Sequence, residues 1–430
     1  MNDVPWNMPA NDYGVFELEG FCIWINEDHQ ATLSLKNTGV VSHEFTHYVH
    51  SLSTADGIDD LLGLIFRVHA GMQRLEDAGV LASLPLAQWA ETANCPPAIR
   101  KYVNLVRKRE RAILDSWGTP VDSSPPVAAP TGGLYEVAGK LFIKACASSG
   151  APVARLALME GAALAKKCEA LGNDSDLNVK RGDPDLAHYF AVHEACVTAN
   201  PSLDPLATSA LLCDISLCSP QPSVVFQKAV AVLQSLPPNS KVDDLATSLS
   251  SLYDQECRAH IESRRAQLER ALTVLPAGHC SQTGPSWAGV VLENAVTAIR
   301  LRQDSPLSLI RPVYLGHALF DLASRIGSPV VITNDMRLTA LADTSDGVTY
   351  ARNAVRTLSY ICNWLVHEHG PLQCPYAGCP DCPDIRRGPH CATNAALALV
   401  PSDDKPWCSL LYSAHQLRVA TLLRREVHRM

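Results

Sequence analysis

Residues 40–53 read Val-Val-Ser-His-Glu-Phe-Thr-His-Tyr-Val-His-Ser-Leu-Ser, which sets three histidines and a glutamate inside an otherwise apolar, hydroxyl-dotted run. On a helix, residues four apart lie on one face a turn apart, so His43 and His47 direct their imidazoles to one point. That is the arrangement in which two histidines ligate a single metal ion. Glu44, next to the first histidine, is placed to reach a water on that ion. Zinc lowers the pKa of a bound water towards about 7, and Glu44 would then accept the proton as a general base. Ser42, following Val40 and Val41, is expected to cap or support the start of this helix. His50, three residues beyond His47, is read as a packed polar residue near the same face.

Upstream, Gly14 to Leu35 carries aromatic and β-branched residues in partial alternation around a polar turn, which predicts two or three short strands. Val330 to Thr333 is a second, weaker strand signal. Most of the remaining chain reads as helix, with apolar residues at helical spacing in Asp59–Ala82, Pro97–Trp117, Leu134–Ala147 and Val153–Leu171. Helical stretches alternate with proline-rich turns from Asp185 to Leu275, with breaks near Pro201, Pro220 and Pro237. Two more helices are expected at Trp287–Arg302 and Tyr350–His369. Residues 118–133 hold four prolines and a Gly-Gly pair, and form a long loop, either a lid or a connector. The predicted class is mainly α with a small N-terminal β-sheet (α+β). Residues 1–200 form one region around the histidine motif, and 201–430 a helical C-terminal region with a cysteine-rich loop at 362–391.

The His43-Glu44-Phe45-Thr46-His47 run resembles the zinc motif of the HExxH metallopeptidases, the zincins. The metzincin branch has a glycine and a histidine three and six positions after the second histidine, where this chain has His50 and Ser53. The resemblance is therefore to the gluzincin pattern, whose third ligand is a glutamate on a later helix. Glu160, in Ala157-Leu-Met-Glu-Gly-Ala-Ala-Leu-Ala165, is the best candidate, because a carboxylate in so apolar a helix is costly to bury without a partner. The small residues Gly161, Ala162, Ala163 and Ala165 are expected to let that helix approach the histidine helix closely. Glu169 and Glu194 are the other candidates. The resemblance implies a zincin-like catalytic region and a Zn2+-dependent cleavage of peptide bonds in a peptide or protein substrate. It also implies an upstream edge strand that pairs with the substrate backbone, and a downstream oxyanion-stabilising group. Tyr189 and His188, with His193, are the nearest residues for the last role. Other readings stay open: a zinc amidase acting on a small molecule, or an interaction protein whose zinc is structural.

Cys374, Cys379, Cys382 and Cys391 fall in the order C-x4-C-x2-C-x8-C among prolines and a glycine. Turn-forming residues between close thiols suit a structural zinc, and the C-x4-C-x2-C start also fits plant-type iron–sulfur ligation. Other cysteines, such as Cys146, Cys168, Cys196 and Cys213, stand singly among apolar neighbours and read as small buried hydrophobes. The formal net charge of −8, without basic blocks, argues against nucleic acid as a partner. The first residues lack a basic start and apolar run, and the chain lacks a long uninterrupted apolar stretch, so no membrane partner and a cytoplasmic location are expected. No phosphate-binding glycine loop and no nucleophile elbow is present.

Overall fold

The computed structural model describes residues 14–17, 22–26, 35–64, 85–116, 155–172, 187–274, 287–333, 338–341 and 365–366. These are mostly helical, with one small sheet. The histidine run lies in α1 (Leu35–Ser53), which is buried on nearly every side from Gly39 onward. A helix so enclosed must satisfy its own polar groups, and the hydroxyls do so by donating back along the helix. Thr46 bonds the Ser42 carbonyl at 2.8 Å, Ser53 that of Val49 at 2.8 Å, and Thr54 that of His50 at 2.7 Å. Ser42 is not a cap. It sits two turns inside the helix, and its hydroxyl contacts the Thr38 carbonyl at 2.8 Å and the Tyr314 carbonyl at 2.5 Å. The helix begins at Leu35, earlier than the motif indicated, so the last residue of the expected strand segment is helical instead.

The strands β1 (Gly14–Glu17) and β2 (Cys22–Ile25) pair antiparallel, as the alternation predicts. β2 then pairs in parallel with β3 (Val330–Thr333), which pairs antiparallel with β4 (Leu338–Ala340), giving the order β1-β2-β3-β4. The N-terminal sheet is thus completed by strands from the far end of the chain. The two-residue period of a strand divides β2 between its faces. Ile23 and Ile25 enter the main core with α1, whereas Cys22 and Trp24 form a small cluster with Val330 and Ile332.

A helix at 55–64 follows α1 directly and is called α2. After it come α3 (Leu86–Trp89), α4 (Pro97–Ser116), α5 (Arg155–Leu171), α6 (Ala187–Ala199) and α7 (Pro205–Leu217). α8 (Pro222–Ser235), α9 (Val242–Glu256), α10 (Arg258–Val274), α11 (Trp287–Asp304) and α12 (Gly316–Ile326) complete the series. The helices expected between residues 185 and 275 are present, with breaks at the proline positions. The expected helix at 134–147, the loop at 118–133 and most of 350–369 lie outside the described residues. α5 packs most extensively on α1 and α7, with α6 alongside, and α11 lies against α1. Residues on both sides of position 200, from Ile23 to Val366, belong to one hydrophobic cluster. No described helix is long and apolar enough to cross a membrane.

Of the small residues expected to ease the approach of α5 to α1, Gly161 serves another contact. A Cβ at Gly161 would meet Val192 of α6 at 3.2 Å, so that glycine serves the α5–α6 contact. It is Gly39, in α1, whose missing side chain admits Leu171 of α5, since a Cβ there would lie 2.8 Å from the leucine Cγ.

Across this core runs a fully desolvated ion pair. Asp214 of α7 receives both arms of the Arg302 guanidinium of α11, at 2.6 and 2.9 Å, and both side chains are 0% exposed. Arg302 also donates to Ser53 Oγ at 2.8 Å and the Pro306 carbonyl at 2.9 Å. Burial by itself pushes the Asp214 carboxyl up, but Arg302 and His50 overcome it and bring the pKa down from 3.8 to about 2. Removing one partner leaves the other charged in the core, so Arg302→Ala is expected to cost about 3–5 kcal/mol, read from urea unfolding. Because the folded-state pKa of Asp214 is the lower one, its ionisation stabilises the fold above about 3.8 and ceases to as pH falls through about 2. The stability difference between wild type and Asp214→Asn should therefore be flat near neutrality and shrink across that acid window in pH-dependent unfolding.

Candidate metal centre

The four-residue spacing on α1 puts the Nε2 atoms of His43 and His47 3.3 Å apart. From α5, Glu160 meets them with one oxygen each: Oε2 is 3.2 Å from His43 Nε2, and Oε1 is 3.5 Å from His47 Nε2. Three ligand atoms bound tetrahedrally at about 2.0–2.1 Å must stand about 3.3–3.4 Å from one another. The nitrogen–nitrogen distance matches that separation, each nitrogen stands about as far from one carboxylate oxygen, and the three residues bring one ligand atom each close together, so these donors can share one metal ion. They form the one such group of three or more His, Cys, Asp or Glu among the described residues. The Cys374, Cys379, Cys382 and Cys391 cluster lies outside those residues.

The hydrogen bonding of the trio is incomplete without an ion. Glu160 Oε2 and His47 Nδ1 are buried with no hydrogen-bond partner among the described residues, although His43 Nε2 stands 3.2 Å from that oxygen. The electrostatics also ask for positive charge. Burial pushes the His47 imidazole down, but Glu160 and then Glu44 overcome it and raise its pKa above 6.5. Burial likewise opposes ionisation of Glu160, yet His47 and His43 hold its pKa well below the usual carboxylate value. The side chains of His43, His47 and Glu160 remain 12%, 10% and 15% exposed, so the trio is recessed but not sealed.

Glu44 lies in α1 beneath β1 and is 6% exposed. A Cβ on Gly14 would stand 3.1 Å from its Cγ and 3.2 Å from its Oε1, so the first strand passes directly over this carboxylate. Only a glycine fits there, because the same Cβ would lie 2.5 Å from Val40. Glu169 is taken by an ion pair with buried Lys166, and Glu194 is exposed on α6, so neither joins the trio. His188 and Tyr189 fall in the first turn of α6, and their side chains lie outside the described part of the structure; His193 is on the next turn, partly buried. His50 does not face the metal centre. It is 1% exposed, with Nε2 3.4 Å from Asp214 Oδ1, and burial holds it in the neutral form by lowering its pKa. Cys168, Cys196 and Cys213 are buried, as expected for small hydrophobes, and burial raises the pKa of Cys196 to about 11.

Asp214, Arg302 and Gly14 were not recognisable as parts of this region from the motif. Asp214 carried a usable signal, because in Leu211-Leu-Cys-Asp-Ile-Ser-Leu217 it is a lone carboxylate in an apolar stretch, as Glu160 is between Ala157 and Ala165. In comparisons with known proteins, the chain matches no family model, no curated protein and no solved structure.

A ligand that binds the folded chain alone stabilises it, by about 2.7 kcal/mol at a concentration a hundredfold above its Kd. Excess zinc is therefore expected to raise the melting temperature of the metal-stripped protein. In thermal unfolding, His47→Ala should remove that zinc-dependent increment.

Proposed function

We propose that the chain is a zinc-dependent hydrolase, a metallopeptidase of gluzincin-like design, in which His43, His47 and Glu160 hold the zinc and Glu44 is the general base. The carrying observation is that the two Nε2 atoms lie 3.3 Å apart, with one Glu160 oxygen 3.2 Å from His43 and the other 3.5 Å from His47. Two imidazoles and one carboxylate form a ligand set of catalytic zinc, whereas structural zinc is usually closed by four protein ligands. Three ligands leave a coordination position for chemistry. Zinc bound there would supply Lewis acidity, lowering the pKa of a coordinated water towards about 7 and polarising a substrate carbonyl.

The protein groups have separate tasks. Glu44 accepts the proton of the attacking water and passes it to the leaving amine, so the same carboxylate serves both halves of the hydrolysis. Its charge acts on His47, which ties it electrically to the ligand set. Gly14 leaves room beside Glu44 and keeps β1 against the site. β1 is the end strand of the sheet among the described residues, and an extended peptide laid along its outer edge would gain main-chain hydrogen bonds at the scissile bond. That favours a peptide or protein substrate over the small-molecule amide. His188 and Tyr189 are the candidates for stabilising the oxyanion. A structural zinc at Cys374, Cys379, Cys382 and Cys391 belongs to the same proposal as a second metal.

The test combines elemental analysis with hydrolysis of a fluorogenic peptide library. Wild type is expected to carry two zincs, with one lost in Glu160→Ala and the other in Cys379→Ala. Glu44→Gln should keep its zinc and lose about 10²–10⁴-fold in rate. Wild type purified without chelator yet free of zinc would end the hydrolase reading. A Glu44→Gln variant as active as wild type would remove Glu44 from its role.

A further inference from the structure

The Asp214–Arg302 pair touches the same stripe of α1 that carries the metal ligands. His43, His47 and His50 follow at i, i+4 and i+7, and Ser53 comes three residues later, so they lie along one side of the helix. Asp214 Oδ1 stands 3.4 Å from His50 Nε2, and Arg302 Nη2 donates to Ser53 Oγ at 2.8 Å. The two charges come from different helices. Asp214 rides on α7, which packs on α5, the carrier of Glu160, while Arg302 rides on α11, which packs on α1. Arg302 is itself held by the Pro306 carbonyl at 2.9 Å.

We infer that Asp214 and Arg302, acting through His50 and Ser53, are positioning residues that fix the rotation of α1 and so aim His43 and His47 at Glu160. This rests on the metal reading given above. The magnitudes explain why such a device is needed. A helix turning by about 20° carries an atom about 6 Å from its axis through roughly 2 Å. Metal ligands tolerate errors of only about 0.2 Å. Apolar packing is non-directional and resists such a turn through shape alone, whereas a bidentate guanidinium–carboxylate pair fixes both distance and angle. A buried ion pair adds little stability over apolar residues of the same size, so its retention in the core is better explained by the geometry it imposes.

The test separates geometry from stability. In the full-length chain carrying Asp214→Val together with Arg302→Met, both charges go and the total side-chain volume changes little. The double variant is expected to unfold at a urea concentration near that of wild type. Its zinc affinity, measured by competition with a chromogenic chelator, should fall about 10–100-fold, as when the groups supporting metal ligands are removed. The visible spectrum of the cobalt-substituted protein should change as well, because it reports ligand geometry. A folded double variant with wild-type zinc affinity and an unchanged cobalt spectrum overturns the inference and leaves the metal centre standing. A wild-type chain that binds no zinc removes the metal reading, and this inference with it. If the double variant does not fold, His50→Leu and Ser53→Ala carry the same comparison, since each deletes one contact to α1. Undiminished affinity in both likewise overturns the inference.

Discussion

Desolvation of α1 is the constraint from which the rest of the structure follows. The helix is enclosed by a sheet on one side and by α5 and α11 on others, yet it carries histidines, a glutamate and a series of hydroxyls. Each buried polar group would cost several kcal/mol if left without a partner. The hydroxyls escape this by bonding carbonyls of their own helix. Imidazoles and carboxylates cannot do so, and their partners have to be brought from distant parts of the chain.

Two helices bring those partners, and they do it with the same kind of residue. Glu160 in α5 and Asp214 in α7 are both carboxylates set within apolar stretches of their helices. Their environments part them. Asp214 is neutralised within the protein by Arg302, which takes both of its oxygens and leaves a closed pair. Glu160 meets two imidazoles instead, and one of its oxygens is left without a hydrogen bond among the described residues. One carboxylate therefore completes the core, while the other leaves a place for a cation.

The sheet adds a second asymmetry. β2 pairs with β1 on one side and with β3 on the other, and β3 with β4, so the chain returns at residues 330–340 to complete the layer that covers α1. Ser42 and Tyr48 are tied to that returning segment, the first to the Tyr314 carbonyl and the second to the Gly327 carbonyl at 2.9 Å. The metal-facing side of α1 is thus positioned by α5, and its opposite side by the C-terminal stretch. Glu44 lies where β1 crosses, and only the absence of a side chain at Gly14 allows the crossing.

What the sequence alone determined is local. The four-residue spacing of His43 and His47, the lone carboxylate at Glu160, the alternation in residues 14–25 and the proline breaks after residue 200 are all short-range patterns. They follow from helix and strand periods and from the cost of burying charge. What only the tertiary structure decided is which distant groups meet. Apolar neighbours made Glu160 the best candidate over Glu169 and Glu194, but only the packing of α5 on α1 brought it to the histidines, while Glu169 took Lys166 and Glu194 faced solvent. His50 read as a neighbour of the metal face because it shares the stripe, but its partner is Asp214. The parallel pairing of β2 with β3 and the bond from Arg302 to Ser53 were equally hidden. Such contacts depend on how whole helices pack, and no local pattern encodes the partner across that distance.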